Sequence, residues 1–225
     1  MKHINIIISA SIILFIILSS GCSSYSKRVR NTDIKHANNL SNICNILEER
    51  PSWRRHLQRA YSKWDVPIYV LMATIYQESK FIAHARPKNY DHIPGQRKKK
   101  YLSSAYGYAQ AIDSTWKIYK EVSKNRNARR YNFADSVDFM GWYMDTSYQK
   151  NNVSKHQADL LYLNYHEGWL GYSSGAYKQK KWLLKVAQKV QAMSLSYKRQ
   201  LYKCSKRAFI ATRDNKKGKT DKITW

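Results

Sequence analysis

Hydrophobic and polar positions alternate along this chain in a helical rhythm. No stretch shows the strict two-residue alternation of a half-buried strand. After a polar lead, apolar residues recur at three- and four-residue spacing from about residue 39. Pro51 can open a helix through Trp53, Leu57, Ala60 and Trp64. Asp65, Val66 and Pro67 then introduce a further helix over about 66–80, whose face reads Ile68, Leu71, Met72, Ile75. Residues 84–104 break the rhythm with Pro87, Pro94, Gly95 and the run Arg97 to Lys100, and predict a long exposed loop. Ser114 is placed to cap a helix through Trp116, Tyr119 and Val122. Another helix is predicted from Phe133 to Gln149. Ser154 and Gln157 have capping-box spacing ahead of Leu160, Leu161 and Leu163, and Gly168 is placed to end that helix. A last helix spans about 176–203, and Lys206 to Trp225 reads as a basic, turn-like tail. The expected fold class is all-α.

The first residues follow a different pattern. Lys2 and His3 precede an apolar run from Ile4 to Leu18, closed by Ser19, Ser20 and Gly21. That describes a secretory signal peptide over 1–21. The stretch Leu18 to Cys22 resembles a bacterial lipobox, which makes Cys22 the lipidated first residue of the mature chain. A plain cleaved signal or an uncleaved anchor are the alternatives. Ser23 after the cysteine is the residue type seen in lipoproteins sent to the outer membrane. Residues 22–38, polar and basic, form a tether; 39–204 form the folded domain; 205–225 form the tail. With Cys22 lipidated, Cys44 and Cys204 remain as an even pair in an oxidising compartment. Joined, they would constrain the unfolded chain by roughly 4–5 kcal/mol in the loop-entropy account. Two unpaired buried thiols are the alternative.

Charge then narrows the partners. The 225 residues carry 40 Lys+Arg against 15 Asp+Glu, a formal +25, with 18 Tyr and 13% aromatic residues. So many rings argue for a packed core rather than disorder. The charge admits nucleic acid, an anionic membrane or an acidic polymer, and export excludes nucleic acid. The surplus gathers in the tether, the loop Arg97 to Lys100 and the tail, suited to adhesion on anionic wall peptides or headgroups. No CxxC or HExxH occurs, so neither metal nor cofactor is expected.

One carboxylate has a chemical reason to be where it is. Glu78 lies seven residues after Leu71 and three after Ile75, beside the apolar face of its helix. Desolvation there holds its proton more tightly, which suits a general acid near neutral pH. A solvated helix end is the alternative reading. Around it, Tyr76-Gln77-Glu78-Ser79-Lys80-Phe81 resembles the Glu-Ser signature of the lytic transglycosylase SLT family, which has a lysozyme-like fold. Gly107-Tyr108-Ala109-Gln110 resembles that family's Gly-Leu-Met-Gln motif, and Asn164-Tyr165-His166-Glu167-Gly168 its Ala-Tyr-Asn-Ala-Gly motif. Trp64 to Pro67 resembles its lead-in to the catalytic helix. The resemblance covers about 45–190, with Tyr108, Ala109 and His166 departing from the pattern.

The resemblance implies a single catalytic carboxylate, Glu78, acting on the MurNAc–GlcNAc β-1,4 bond of peptidoglycan and leaving 1,6-anhydro-MurNAc ends. It implies that Tyr165 lies near that carboxyl, and that Gly107 and Gln110 line the glycan cleft. Ser79, Tyr108, His166 and Glu167 are expected as further glycan contacts, with helix-end packing as the alternative for the last two. Glu167 is the candidate second carboxylate if the reaction were hydrolytic. Tyr106, Trp169 and Tyr172 are further candidates for stacking on sugars. The expected setting is a monomer in the periplasm, lipid-anchored to the outer membrane through Cys22. A lysozyme-type hydrolase and a non-catalytic wall-binding lipoprotein are the alternatives.

Overall fold

Asn42 caps the first described helix: its side-chain oxygen accepts from the backbone N–H groups of Cys44 and Asn45 at 3.0 and 3.3 Å. This cap satisfies donors that the first helical turn leaves bare. The helix it opens, α1, spans Ile43–Glu49. In this computed structural model the residues described are 39–87 and 103–220, with side chains described as far as Ser205. They fall within one compact unit, His36–Trp225. The expected signal peptide and tether, with Cys22, and the run Arg97 to Lys100 lie outside the described residues.

Pro51 occupies the first turn of α2, Pro51–Trp64, where its missing N–H costs nothing. Asp65 ends α2 in the left-handed conformation, and Pro67 starts α3, Ile68–Ser79. Val70 through Ile75 are all buried, so α3 is covered on nearly every side rather than along one stripe. Two successive left-handed residues, Lys80 (φ 52°) and Phe81 (φ 61°), stop it sharply just past Glu78. Then follow α4 (Asp113–Val122), α5 (Phe133–Asn151), α6 (Ala158–Ser173), a 3₁₀ turn (Ala176–Gln179) and α7 (Lys181–Thr220). Helix α2 packs along α5, and α7 lies across α3 and α6, so α3 forms the middle of the bundle. Among the described residues there is no strand, only an isolated bridge between Tyr106 and Ala111. No described helix is long and apolar enough to cross a membrane.

Aromatic rings fill the core. Trp53 stacks on Phe133 at 3.6 Å, and Tyr119, Phe139 and Trp142 meet at 5.3–5.8 Å. The buried phenol of Tyr119 and the indole of Trp64 both donate to Asp138 at 2.8 Å, which Lys63 also pairs. Cys44 and Cys204 are joined, their Cα atoms 6.2 Å apart, tying α1 to α7. Gln200 reinforces that tie through Ile43 N–H (2.9 Å) and the carbonyl of Ser41 (3.0 Å).

Four details differ from the sequence reading. Helix α4 is entered not at Ser114 but at Asp113, whose N–H donates to Ser104 Oγ at 3.0 Å. Helix α6 is not capped by Ser154; Gln191 reaches over from α7 and accepts from Ala158 and Asp159 N–H at 2.8 and 3.3 Å. Gly168 kinks α6 instead of ending it. Beyond Lys206 the backbone remains helical to Thr220 rather than turn-like, consistent with the helix preference of Lys, Arg and Ala there.

Candidate active site

Glu78 sits on the last turn of α3, half-buried. Burial of the carboxyl raises its pKa from the ordinary 4.5 to about 7, because the ionised form is poorly solvated there. A hydrogen bond from Tyr162 and the nearby Lys80 ammonium pull in the opposite direction without cancelling the burial. Among the described residues, no acidic side chain figures in the groups acting on Glu78. Tyr162 lies in α6, 5% exposed, and its own phenol is pushed well above its ordinary range by burial, then by the Glu78 charge. Gln77 acts on the same phenol in the opposite direction, so neighbouring residues of α3 both bear on Tyr162.

Tyr165, one turn further along α6, feels the same charge after its own burial. Its phenol donates to the carbonyl of Ala109 at 2.5 Å, and its ring meets Tyr143 edge-on at 4.9 Å. Tyr165 therefore joins the helix carrying the third motif to the turn carrying the second. That turn is built on backbone. Gly107, at φ +80°, donates to the carbonyl of Ala85 at 3.0 Å, and a Cβ at Gly107 would run into the carbonyl of Arg130. Tyr108 N–H donates to that same Arg130 carbonyl at 3.1 Å. Gln110 spends its amide on the carbonyls of Ala85 (2.9 Å) and Gly107 (2.8 Å).

The remaining expected contacts differ in what they offer. Tyr108, expected on the glycan, is instead a core residue: 4% exposed, it packs edge-on against Trp53 and Phe133 at 5.7 and 5.4 Å. Its ring fits the slot beside the stacked pair, and burial raises its phenol. Ser79 is 4% exposed, and its hydroxyl donates back to Ile75 within α3 at 3.3 Å. Tyr106 bonds His84 Nδ1 at 2.6 Å and lies under the Arg86 guanidinium, 4.3 Å from its ring centre. Trp169 stacks on Tyr143 at 4.7 Å, and Tyr172 on Tyr177 at 5.0 Å.

Glu167 is committed elsewhere. Lys180 Nζ reaches both of its oxygens at 2.8 and 2.9 Å, and His166 Nδ1 lies 3.0 Å away. Lys180 foremost, then His166, holds this carboxyl below its usual range. Asp113 is likewise paired, 2.7 Å from Arg130, and Asp91 lies outside the described residues. No three His, Cys, Asp or Glu side chains gather as metal ligands among the described residues.

Sequence reasoning missed Tyr162. Its signal was present: three residues before Tyr165, it shares that residue's side of the helix. Sequence reasoning also missed Lys180, which only the fold brings to Glu167.

The three motifs thus converge on one place. The Glu-Ser pair ends a buried helix, the glycine turn is bonded to Ala85 just beyond that helix, and Tyr165 of the third motif bonds the turn while feeling the charge of Glu78. Comparison with curated proteins and with solved structures finds no match. The family model of the transglycosylase SLT domain, in contrast, matches residues 10–204, most of the chain. Helical architecture, motif order and family model agree: this chain belongs to the transglycosylase SLT family.

Proposed function

We propose that this protein is a lytic transglycosylase that cleaves the MurNAc–GlcNAc β-1,4 bond with Glu78 as its single acid and base. Family membership implies transglycosylase activity on peptidoglycan, a polymer of the periplasm. The observation that carries the finer reading is a carboxyl raised to about 7 with no acidic side chain among the described groups acting on it. Hydrolytic glycosidases pair two carboxylates, whereas the described groups acting on Glu78 are a phenol and an ammonium, with a second phenol that feels its charge.

Protonated Glu78 gives its proton to the glycosidic oxygen as the C1–O bond breaks. The MurNAc N-acetyl group assists from within the substrate. The C6 hydroxyl of the same sugar then attacks C1, and Glu78, now a carboxylate, takes the hydroxyl proton. A 1,6-anhydro ring forms, no water is consumed, and Glu78 ends protonated as it began. One group serving twice needs a pKa near the ambient pH. Tyr162 steadies the carboxylate between the two transfers, since its hydrogen bond favours the ionised form. Tyr165, Gly107 and Gln110 hold the cleft wall in shape; Ser79 supports the end of α3. Cys22 carries lipid and holds the enzyme at the outer membrane, behind the 22–38 tether.

Digestion of purified sacculi tests this, with mass spectrometry of the new ends. Anhydro ends from wild type, absent with Glu78→Gln, support it. Reducing ends identify a hydrolase, and binding without cleavage identifies a wall-binding protein.

A further inference from the structure

Positive charge gathers on one side of the folded domain, apart from the tether, the loop and the tail. Helix α2 contains no acidic residue, and Arg54, Arg55, Arg59 and Lys63 all stand exposed on it. Arg55, Arg59 and Lys63 repeat at four-residue spacing, where like charges weaken a helix. With Gln58 and Ser62 they line a shallow hollow of about 470 Å³. Helix α4 repeats the arrangement. Lys117, Lys120, Lys124 and Arg126 line a second hollow, of about 760 Å³, with Glu121 as its one acid.

The two helices adjoin across α5. Asp138 Oδ2 pairs with Lys63 of α2 at 3.0 Å and accepts from Tyr119 of α4 at 2.8 Å. Asp135, three residues earlier, accepts from the Asn125 amide and the Arg129 N–H at 3.2 and 2.8 Å, and its charge reaches His56 of α2. Both acids are therefore spent in the seam between the helices. Among the described residues no carboxylate pairs with Arg54, Arg55, Arg59, Lys117 or Lys124. The field they leave is felt inside the face: burial first, then Arg59 and Arg55, lowers the pKa of His56. Charge of one sign that weakens its own helices and finds no partner within the protein points to an anionic partner outside it.

The side chains between the cations point to a lipid surface. Ile118 and Val122, one turn apart on α4, are 46% and 58% exposed, and Tyr61 on α2 is 40% exposed. Apolar groups set among long-stemmed cations match the headgroup boundary of a bilayer, where stems and apolar groups enter and charges meet phosphates. The N-terminal segment, expected to hold the chain at a membrane, brings the domain within a tether's length of one. None of these residues is among the groups acting on Glu78.

We propose that α2 and α4 form a docking face for a bilayer bearing anionic phospholipid headgroups, which lays the domain on that bilayer in one orientation. The inference is independent of the chemistry at Glu78.

The test uses the full chain anchored in vesicles and a membrane-impermeant amine reagent, with the labelling of each lysine read by mass spectrometry. On vesicles rich in phosphatidylglycerol, labelling of Lys117 and Lys124 falls about five- to tenfold relative to phosphatidylcholine vesicles. Lys185 and Lys189 of α7, a helix that packs on α1, α3 and α6, label alike on both. High salt restores the labelling of Lys117 and Lys124, because the attraction is screened. The double variant Arg55→Gln/Arg59→Gln, on exposed positions of α2 and with its fold checked by a thermal melt, loses most of the protection on α4. Equal labelling of Lys117 and Lys124 on both kinds of vesicle overturns the face, and so does equal protection of Lys185 and Lys189. Undiminished protection in the folded double variant removes α2 from the face and overturns the proposal as stated. Protection by isolated sacculi but not by anionic vesicles overturns the lipid partner and assigns the face to an acidic wall polymer.

Discussion

Replacing Glu78 by Gln should stabilise the protein, and only at higher pH. The folded state raises this carboxyl from 4.5 to about 7. A folded-state pKa above the unfolded value means that stability is fully present below 4.5 and is lost as pH rises through about 7. At about 1.36 kcal/mol per pH unit, the ionised carboxylate costs the fold up to about 3 kcal/mol under alkaline conditions. Gln keeps the shape and cannot ionise, so the cost disappears. For a domain of this size each kcal/mol moves Tm by about 2–4 °C, a difference of about 6–12 °C. Thermal melts of both proteins at about pH 4.5 and about pH 8.5 measure it, and the pH dependence of the Tm difference isolates Glu78 from every other titrating group. A Tm difference equal at both pH values would refute the reasoning, because Glu78 would then titrate alike folded and unfolded.

Three further outcomes follow from the same contacts. Tyr162→Phe removes the hydrogen bond that favours the ionised carboxylate. At ~1.5–3 kcal/mol for a bond to a charged group, the alkaline fall of kcat/KM moves up by about one to two pH units; an unmoved or lowered limb contradicts this. Cys204→Ser frees a loop with a sequence separation of 160 and lowers stability by about 4–5 kcal/mol, read from denaturant melts under non-reducing conditions. An equal midpoint for mutant and wild type would show that the tie carries no constraint. Gly168→Ala forces a side chain into a conformation essentially reserved for glycine and costs about 1–3 kcal/mol. Open space around that position removes steric clash as the cause, so an unchanged midpoint would place the helix kink in a relaxed backbone.

What was legible in the sequence was local. The apolar spacing of 66–80 predicts α3, and the place of Glu78 on it predicts a carboxyl with a raised pKa; both depend on residues within two helical turns. What escaped depends on distant partners. Gln191 caps α6 from α7, so Ser154, though well spaced, is not needed as the cap. Gly168 carries the same backbone freedom whether it stops or kinks a helix, and the choice rests on the packing of Trp169 against Tyr143 and Ser147. Tyr108 occupies a motif position and reads as a sugar contact, yet the gap beside Trp53 and Phe133 takes the ring inward. Glu167 reads as a possible second carboxylate until Lys180 is brought to it. In each case a short-range pattern leaves two outcomes open, and a long-range contact selects one.

The central claim is that one carboxyl, Glu78, does both proton transfers without water. Mass spectrometry of sacculus digests prepared with wild type and with Glu78→Gln addresses it most directly. The account predicts 1,6-anhydro-MurNAc ends from wild type and no new ends from a folded Glu78→Gln protein. Reducing ends from wild type, or undiminished cleavage by Glu78→Gln, would contradict it.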